Sequence, residues 1–429
     1  MAQNEASRPS RSVARSLDAL NLFLADVRDG LGPYLAVYLL AVQQWDAASI
    51  GAVMTIAGIV GVLAQTPAGA LIDRTTAKRG TLVVAAIVVT AGSITLPLLS
   101  SFWLVAAAQS ATAAAGAIFA PALSAVTLGI VGPAAFARRI GRNEAFNHAG
   151  NAAAATVAGT TAYLWGPTVV FWLMAVLAVA SIVATLRIPP GAIDDRVARG
   201  LSADREDHGG EDGARPSGLA ALPANRLLLI FAACAVLFHF ANAAMLPLVG
   251  QKLALADATL ATTLTAVCIV AAQLVMVPVA MLVGARADLW GRKPIFLAAF
   301  ATLAARGALY PLSDDPFWLV GVQCLDGVGA GIFGALFPLV VADLTRGTGR
   351  FNVSQGAIAS AQGVGAALSS IVAGVVVVTA GYSAAFLLLA AIAAAGLLLY
   401  ALLMPETRDH AAPISRRRST AGARAIPAG

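Results

Sequence analysis

The chain has 429 residues, 59% of them hydrophobic and 12% charged, with a mean hydropathy of +0.80 and a formal net charge of +6. A soluble domain carries about 25% charged and roughly 45–50% apolar residues, so this composition excludes a soluble globular protein and makes lipid the solvent for most of the surface. The basic excess falls in short clusters between apolar runs, which excludes a nucleic-acid-binding face and reads as a topology signal.

Residues 1–16 are polar and rich in Arg and Ser, and the apolar run that follows is too long for a cleaved signal. They are expected to form a cytoplasmic N-terminal tail. Twelve runs then have the length of a membrane span: 17–43, 49–71, 80–100, 102–131, 143–164, 167–187, 225–250, 258–284, 293–312, 316–343, 352–379 and 382–404. The stretch from Pro189 to Asn225 is polar, with Asp194, Asp195, Arg196 and the charged run Asp204 to Asp212, and its composition is that of a mobile linker with no core of its own. The chain therefore divides into a six-helix bundle at 17–188, a cytoplasmic linker at 189–224, a second six-helix bundle at 225–404 and a cytoplasmic tail at 405–429. The fold class is an all-α membrane protein of twelve transmembrane helices in two pseudo-symmetric bundles.

Lys and Arg set the orientation. Arg74, Lys78 and Arg79, Arg138, Arg139 and Arg142, Arg286, Arg292 and Lys293, Arg346 and Arg350, and Arg416 to Arg418 all fall on one side, with Lys252 on the other. The positive-inside rule then places both termini in the cytoplasm and the protein in the cytoplasmic (inner) membrane. The three cysteines, Cys234, Cys268 and Cys324, lie in apolar runs, and their odd number and wide spacing argue against a disulfide framework or a metal site.

The two halves are related by sequence. Phe102-Trp103-Leu104-Val105 recurs as Phe317-Trp318-Leu319-Val320, and Pro33, Pro97, Gln109 and Phe119 match Pro247, Pro311, Gln323 and Phe333 at an offset of 214 or 215. Parallel six-helix repeats are characteristic of one large class of transporters.

The second-to-third loop reads Gly69-Ala-Leu-Ile-Asp73-Arg74-Thr-Thr-Ala-Lys78-Arg79, and the eighth-to-ninth reads Gly284-Ala-Arg-Ala-Asp288-Leu-Trp-Gly291-Arg292-Lys293. Both resemble the loop motif of the major facilitator superfamily, Gly-x-x-x-Asp-(Arg/Lys)-x-Gly-(Arg/Lys)-(Arg/Lys), and the tail Pro405-Glu406-Thr407-Arg408 is similar to a sequence common after that family's last helix. The resemblance implies a conformational latch at Gly69, Asp73, Arg74, Lys78, Gly284, Asp288, Arg292 and Lys293. Physically, the glycines admit close helix contact, and an aspartate suits a neighbouring helix N-terminus. The first copy departs from the motif at Thr76 and Ala77, the second at Leu289. Helix four lacks the arginine of many proton-coupled members, and helix five lacks the Gly-Pro-x-x-Gly-Gly signature of drug/proton antiporters.

An ionisable group at bilayer depth costs roughly 2.5–3.5 kcal/mol on insertion scales, so such groups mark cavities or partners. Helix one carries Asp26, Arg28 and Asp29 before Gly30-Leu-Gly32-Pro33. Asp26, Asp29 and Pro33 share a face, while Arg28 points about 200° from Asp26; either Arg28 pairs with another helix or the backbone loosens near the glycines. The aspartates suit a proton site, or a static ion pair with Arg28 or Arg306. His239 and Asn242 occupy the repeat-related helix seven and are expected across a central cavity from them. His148 and Asn151 on helix five, Gln273 on eight, Arg306 on nine, Gln323 and Asp326 on ten, and Gln362 on eleven complete the substrate- or proton-binding candidates. Glu144 lies near the boundary, where it is expected to anchor Arg139 or Arg142.

The expected function is secondary active transport of a small solute by alternating access, coupled to protons and favouring export of a small organic compound. Uptake of a small, possibly anionic metabolite is the alternative, since Arg28 and Arg306 could bind a carboxylate. A membrane enzyme would need a catalytic cluster such as His-Glu-x-x-His, which does not occur, and a channel or sensor would not need two latched halves. No catalytic residue, metal or cofactor is expected beyond the proton as coupling ion. The expected partners are the bilayer and the solute, with no nucleic acid, and the chain is expected to work as a monomer.

Overall fold

The computed structural model describes residues 10–29, 35, 38–39, 42–45, 47–165, 168–201, 225–256 and 261–408. Among them the regular elements are helices: α1 (Arg11–Asp29), α2 (Ala47–Arg74), α3 (Lys78–Thr95), α4 (Phe102–Gly116), α5 (Phe119–Trp165), α6 (Val169–Leu186), α7 (Arg226–Ala243), α8 (Met245–Ala256), α9 (Ala261–Trp290), α10 (Arg292–Leu309), α11 (Pro316–Thr345) and α12 (Phe351–Leu403). The side chains of Asp26, Arg28 and Asp29 lie outside the described residues.

A straight helix of 53 residues would be about 80 Å long, against about 30 Å of bilayer hydrocarbon. The 53-residue α12 fits because it reverses at Gly381, whose φ of 86° a side chain would strain. Its first arm starts beside Asp73, and its second arm ends with Tyr400 stacked on Phe296 near the start of α10, so both ends return to one side. The 47-residue α5 reverses in the same way at Gly132 (φ 69°), which brings Asn143 Nδ2 within 2.8 Å of Thr127 Oγ1. Nine described helical runs are long and apolar enough to cross a membrane, and two of them fold in half at these glycines, which makes eleven crossings. The remaining expected span, 17–43, is described as continuous helix to Asp29 and as helix again at Leu35, Tyr38 and Leu39, and most of its later part lies outside the described residues.

Each half has its own apolar core. The first is built from side chains such as Leu20, Leu24, Phe119 and Met174. The second is built around Phe231, Phe296, Phe300 and Phe386, and it extends across to Phe136 and Ile140 of α5. Large apolar side chains such as Leu63, Trp103, Val176, Ile371 and Val378 point outward, as lipid-facing surfaces require.

The expectation of a mobile linker without a core is corrected for its first part. Residues 190–192 and 197–199 form 3-10 turns, and Val197 and Ala198 are buried. Asp194 N–H donates to the Gly129 carbonyl at 3.0 Å and Gly347 N–H donates to the Gly200 carbonyl at 2.7 Å, so this stretch is held by both halves. Residues 202–224 lie outside the described residues.

Candidate functional site: a cavity between the halves and the gate beneath it

The end of the molecule that carries the basic loops is sealed by contacts between the halves. On one flank α2 runs against the first arm of α12. Gly69 lies so close to the chain at Asn352 and Val353 that a Cβ would overlap the Asn352 carbonyl, and Gly356 is equally close to Gln65. Thr66 Oγ1 and Ser360 Oγ share a hydrogen bond at 3.2 Å, and Gly363 abuts Val62. On the other flank the second arm of α5 runs against α9. A Cβ on Gly284 would stand 2.7 Å from Gly141 Cα, and His148 Nδ1 meets Gln273 Oε1 at 2.7 Å. From Asp73 to Val62 the seal is eleven residues of helix, about 16 Å at 1.5 Å per residue, or roughly half the hydrocarbon thickness.

Asp73 is the polar centre of this seal. Its carboxylate is buried and accepts from Val353 N–H (2.7 Å), Asn352 Nδ2 (2.8 Å) and Asn352 N–H (3.3 Å). These are free amides at the start of α12, where the helix dipole also favours negative charge. Asn352 Nδ2 also donates to the Ala198 carbonyl of the linker at 3.0 Å. Lys78, buried, donates to linker Asp195 at 2.6 Å and to the Thr75 carbonyl at 2.8 Å.

The eight expected latch residues therefore divide. Gly69, Asp73 and Gly284 touch the opposite half, while Lys78 joins the first half to the linker. Arg74 is exposed and no described contact ties it to the opposite half. Asp288, Arg292 and Lys293 act inside the second half: Arg292 pairs with Asp288 (2.7 Å) and Asp343 (3.1 Å), and Lys293 Nζ donates to the Ala401 carbonyl at 2.7 Å. Glu406 caps α10 by accepting from Arg292 N–H (2.8 Å) and Lys293 N–H (3.0 Å), and Arg408 caps the end of α9 at the Leu289 carbonyl (2.8 Å). Asp288 has no trans-acting role like that of Asp73 for a topological reason. The repeat offset maps Asn352 and Val353 onto Ala137 and Arg138, a full turn inside the arm that begins at Pro133, where the amides already serve the helix.

Above the seal lies a cavity of about 810 Å³ lined by both halves. Six of the expected binding residues line it: His148, Asn151, His239, Asn242, Gln273 and Gln362. His239 donates Nδ1–H to the Ala235 carbonyl (3.0 Å) and stands edge-on to Phe333 with ring centroids 4.9 Å apart, which leaves Nε2 as an acceptor. The expected position of His239 and Asn242 across from Asp26 and Asp29 falls partly on side chains outside the described residues; Asn21 and Val27 of α1 do line the cavity.

Arg306, Gln323 and Asp326 stand behind the cavity wall. Arg306 is buried and pairs with Asp326 at 2.6 Å, donates to Asn242 Oδ1 at 2.6 Å and to Gln323 Oε1 at 3.0 Å, and receives support from Tyr310. A desolvated guanidinium needs such a full set of acceptors. Through Asn242 this network reaches the cavity surface.

Glu144 corrects the sequence reading. Arg139 and Arg142 both pair with Asp18 of α1, at 2.9 and 2.8 Å, because α1 packs along the second arm of α5 and brings that carboxylate to them. Glu144 instead lines the cavity floor, facing Gly334 of α11, and no ion pair to it occurs among the described residues. The one-turn spacing of Glu144 and His148 puts both on the face of α5 that lines the cavity.

The model of the Major Facilitator Superfamily matches residues 18–284 and again 228–427. The chain is 60% identical over 411 residues to the uncharacterized MFS-type transporter MT2531 of Mycobacterium tuberculosis (strain CDC 1551 / Oshkosh), covering 96% of this chain and 97% of that one. In structure it is similar to the human organic anion transporter MFSD10 (TETRAN), with a TM-score of 0.66 at 16% identity over 92% of this chain and all of that one. A mutant of the nucleoside transporter NupG gives a TM-score of 0.62 at 16% identity with the same coverage.

Proposed function

The chain belongs to the major facilitator superfamily of multi-pass membrane transporters, and from that premise we propose that it is a secondary active carrier working by alternating access, coupled to protons and serving export of a small organic compound. One observation carries the reading. The cavity is walled by both halves and closed at one end only by contacts that a rocking of the halves would separate. With the basic loops in the cytoplasm of an inner-membrane protein, as the positive-inside rule directs, the described state is shut towards the cytoplasm.

Proton coupling is supported by titratable groups at the cavity. Glu144 and His148 lie one turn apart on α5, and His148 also hydrogen-bonds across to the other half, so a proton there touches the contact that motion must break. Asp26 and Asp29 remain candidates on helix one. Loss of pH-driven transport in Glu144→Gln, with retention in Asp26→Asn and Asp29→Asn, would assign the role to the cavity floor. Uptake of an anionic metabolite is the weaker reading, because Arg306 is already matched by Asp326.

The test is two-sided access. A single cysteine replacing Ala330 on the cavity wall, in a background lacking Cys234, Cys268 and Cys324, is exposed to membrane-impermeant maleimide from either face of oriented vesicles. Labelling from both faces supports a carrier. Labelling from one face under every condition contradicts it.

A further inference from the structure

We propose that the cavity selects an uncharged, hydroxyl-rich ring compound with one apolar face, of about the size of a simple aryl glycoside. The inference rests on the carrier reading of the same site and names its substrate chemistry. Shared fold leaves that chemistry open, since function resides in the site and the two solved relatives are named for an organic anion and a nucleoside.

Three features of the lining carry it. The first is charge. Among the described lining residues Glu144 alone carries a formal charge, and it sits at the floor beside the seal. The nearby cations are committed elsewhere, Arg306 to Asp326 and Arg139 and Arg142 to Asp18. A carboxylate or phosphate entering the cavity would lose its hydration without gaining a counter-ion from these groups, which costs several kcal/mol per ion on the order-of-magnitude scale for buried charge.

The second feature is the hydrogen-bonding inventory. Carboxamides face the cavity from both halves, Gln65, Gln109 and Asn147 from the first and Asn242, Gln355 and Gln362 from the second. The side-chain nitrogens Gln109 Nε2, Gln355 Nε2, Gln362 Nε2 and His148 Nε2 are buried with no hydrogen-bond partner in the protein. An unmade buried hydrogen bond costs about 1–3 kcal/mol, so a side-chain rotation that turns these nitrogens from just behind the cavity surface to a polar group within it is favoured. The amides offer donors, and the histidines, whose Nδ1 atoms are engaged with Ala235 and Gln273, offer Nε2 acceptors. A hydroxyl group both donates and accepts, so it matches this alternation, whereas an ammonium only donates and a carboxylate only accepts.

The third feature is an aromatic wall. Phe333 stacks on Phe238 with centroids 4.5 Å apart and on Phe337 at 5.9 Å with an interplanar angle of 12°, and all three line the cavity. A ring compound can set its C–H groups against this aromatic wall while its edge hydroxyls reach the amides. The volume of about 810 Å³ leaves room for such a molecule together with water.

The test uses the full chain in lipid nanodiscs and one scaffold at three charges: 4-nitrophenyl glucoside, 4-nitrophenyl glucuronide and 4-nitrophenyl 6-amino-6-deoxyglucoside. Binding is read by titration calorimetry. The proposal expects the neutral glucoside to bind at least tenfold more tightly than either charged analogue. It also expects Gln362→Leu, which keeps side-chain bulk and removes the hydrogen bonds, to weaken the glucoside at least fivefold without changing the melting temperature of the unliganded protein. Equal or tighter binding of a charged analogue, no binding of the glucoside, or an unchanged affinity in Gln362→Leu would overturn it. Cysteine labelling at position 330 separates this failure from that of the carrier reading: access from both faces with no glucoside binding leaves the carrier standing and removes the substrate class.

Discussion

Asp73 on α2 caps the helix whose first turn holds Asn352: the carboxylate of one half accepts the free amides of the other, beneath a cavity that both halves line. The contact exists only while the halves are together at this end. On the proposed carrier reading it stabilises the closed state without contributing to the fold of either half.

Replacing that carboxylate should open the gate. A lost helix cap costs about 0.5–2 kcal/mol, which moves a two-state ratio by about two- to thirtyfold. Asp73→Ala is expected to raise maleimide labelling at position 330 from the face with the basic loops by about that factor. Unchanged labelling would show that the carboxylate does not hold the closed state.

The glycine seams make a second prediction. Gly69→Val and Gly284→Val each force a side chain into the opposing backbone, so each should favour the open gate and leave the halves folded. Because the two seams involve different helix pairs, the double variant should show the product of the single effects on accessibility. A melting temperature that collapses in the single variants would instead mark these glycines as needed within each half.

Lys78 offers a third test, of the linker. Its ammonium is buried and Asp195 supplies the counter-charge. Asp195→Ala should lower the melting temperature by several degrees, since it leaves a buried charge unmatched. Lys78→Met in the same chain should restore most of the loss, because removing both charges removes the penalty. If the single variant melts normally, the Lys78–Asp195 pair does not hold the folded stretch 190–199 to the first half.

Glu406 supplies a pH dependence outside the membrane spans. Burial alone would raise its pKa, but the N–H groups of Arg408, Arg292 and Lys293 and the charge of Arg408 outweigh it and hold the carboxyl below its usual range. A lowered folded-state pKa contributes stability above the ordinary carboxylate range, and that contribution is lost as pH falls through the lowered value. Glu406→Gln should therefore melt below the parent at neutral pH, with the two curves converging under acidic conditions. A constant difference across the range would contradict the assignment.

Much of this was legible from the sequence because composition and periodicity are global. The loop motif located Gly69, Asp73 and Gly284, and two of them are glycines where helices of the two halves meet. Partner identity was less legible. The weaker copy of the motif provides the trans-acting aspartate, and the better copy holds Asp288 within its own half, because that outcome depends on where the facing helix begins. Asp18 takes the place expected of Glu144 beside Arg139 and Arg142 for a similar reason. Which carboxylate meets Arg139 is decided by the packing of α1 on α5, at a separation in sequence that local spacing does not encode.

The central claim is that the two halves separate and rejoin at the end bearing the basic loops. Its most direct measurement is the distance between spin labels at Arg138→Cys and Arg286→Cys, exposed positions on either side of the Gly141–Gly284 seam, by pulsed electron paramagnetic resonance in nanodiscs. The account predicts two distance populations, with Asp73→Ala shifting weight to the longer one. A single short distance in both the parent and the variant, unchanged across pH, would contradict it.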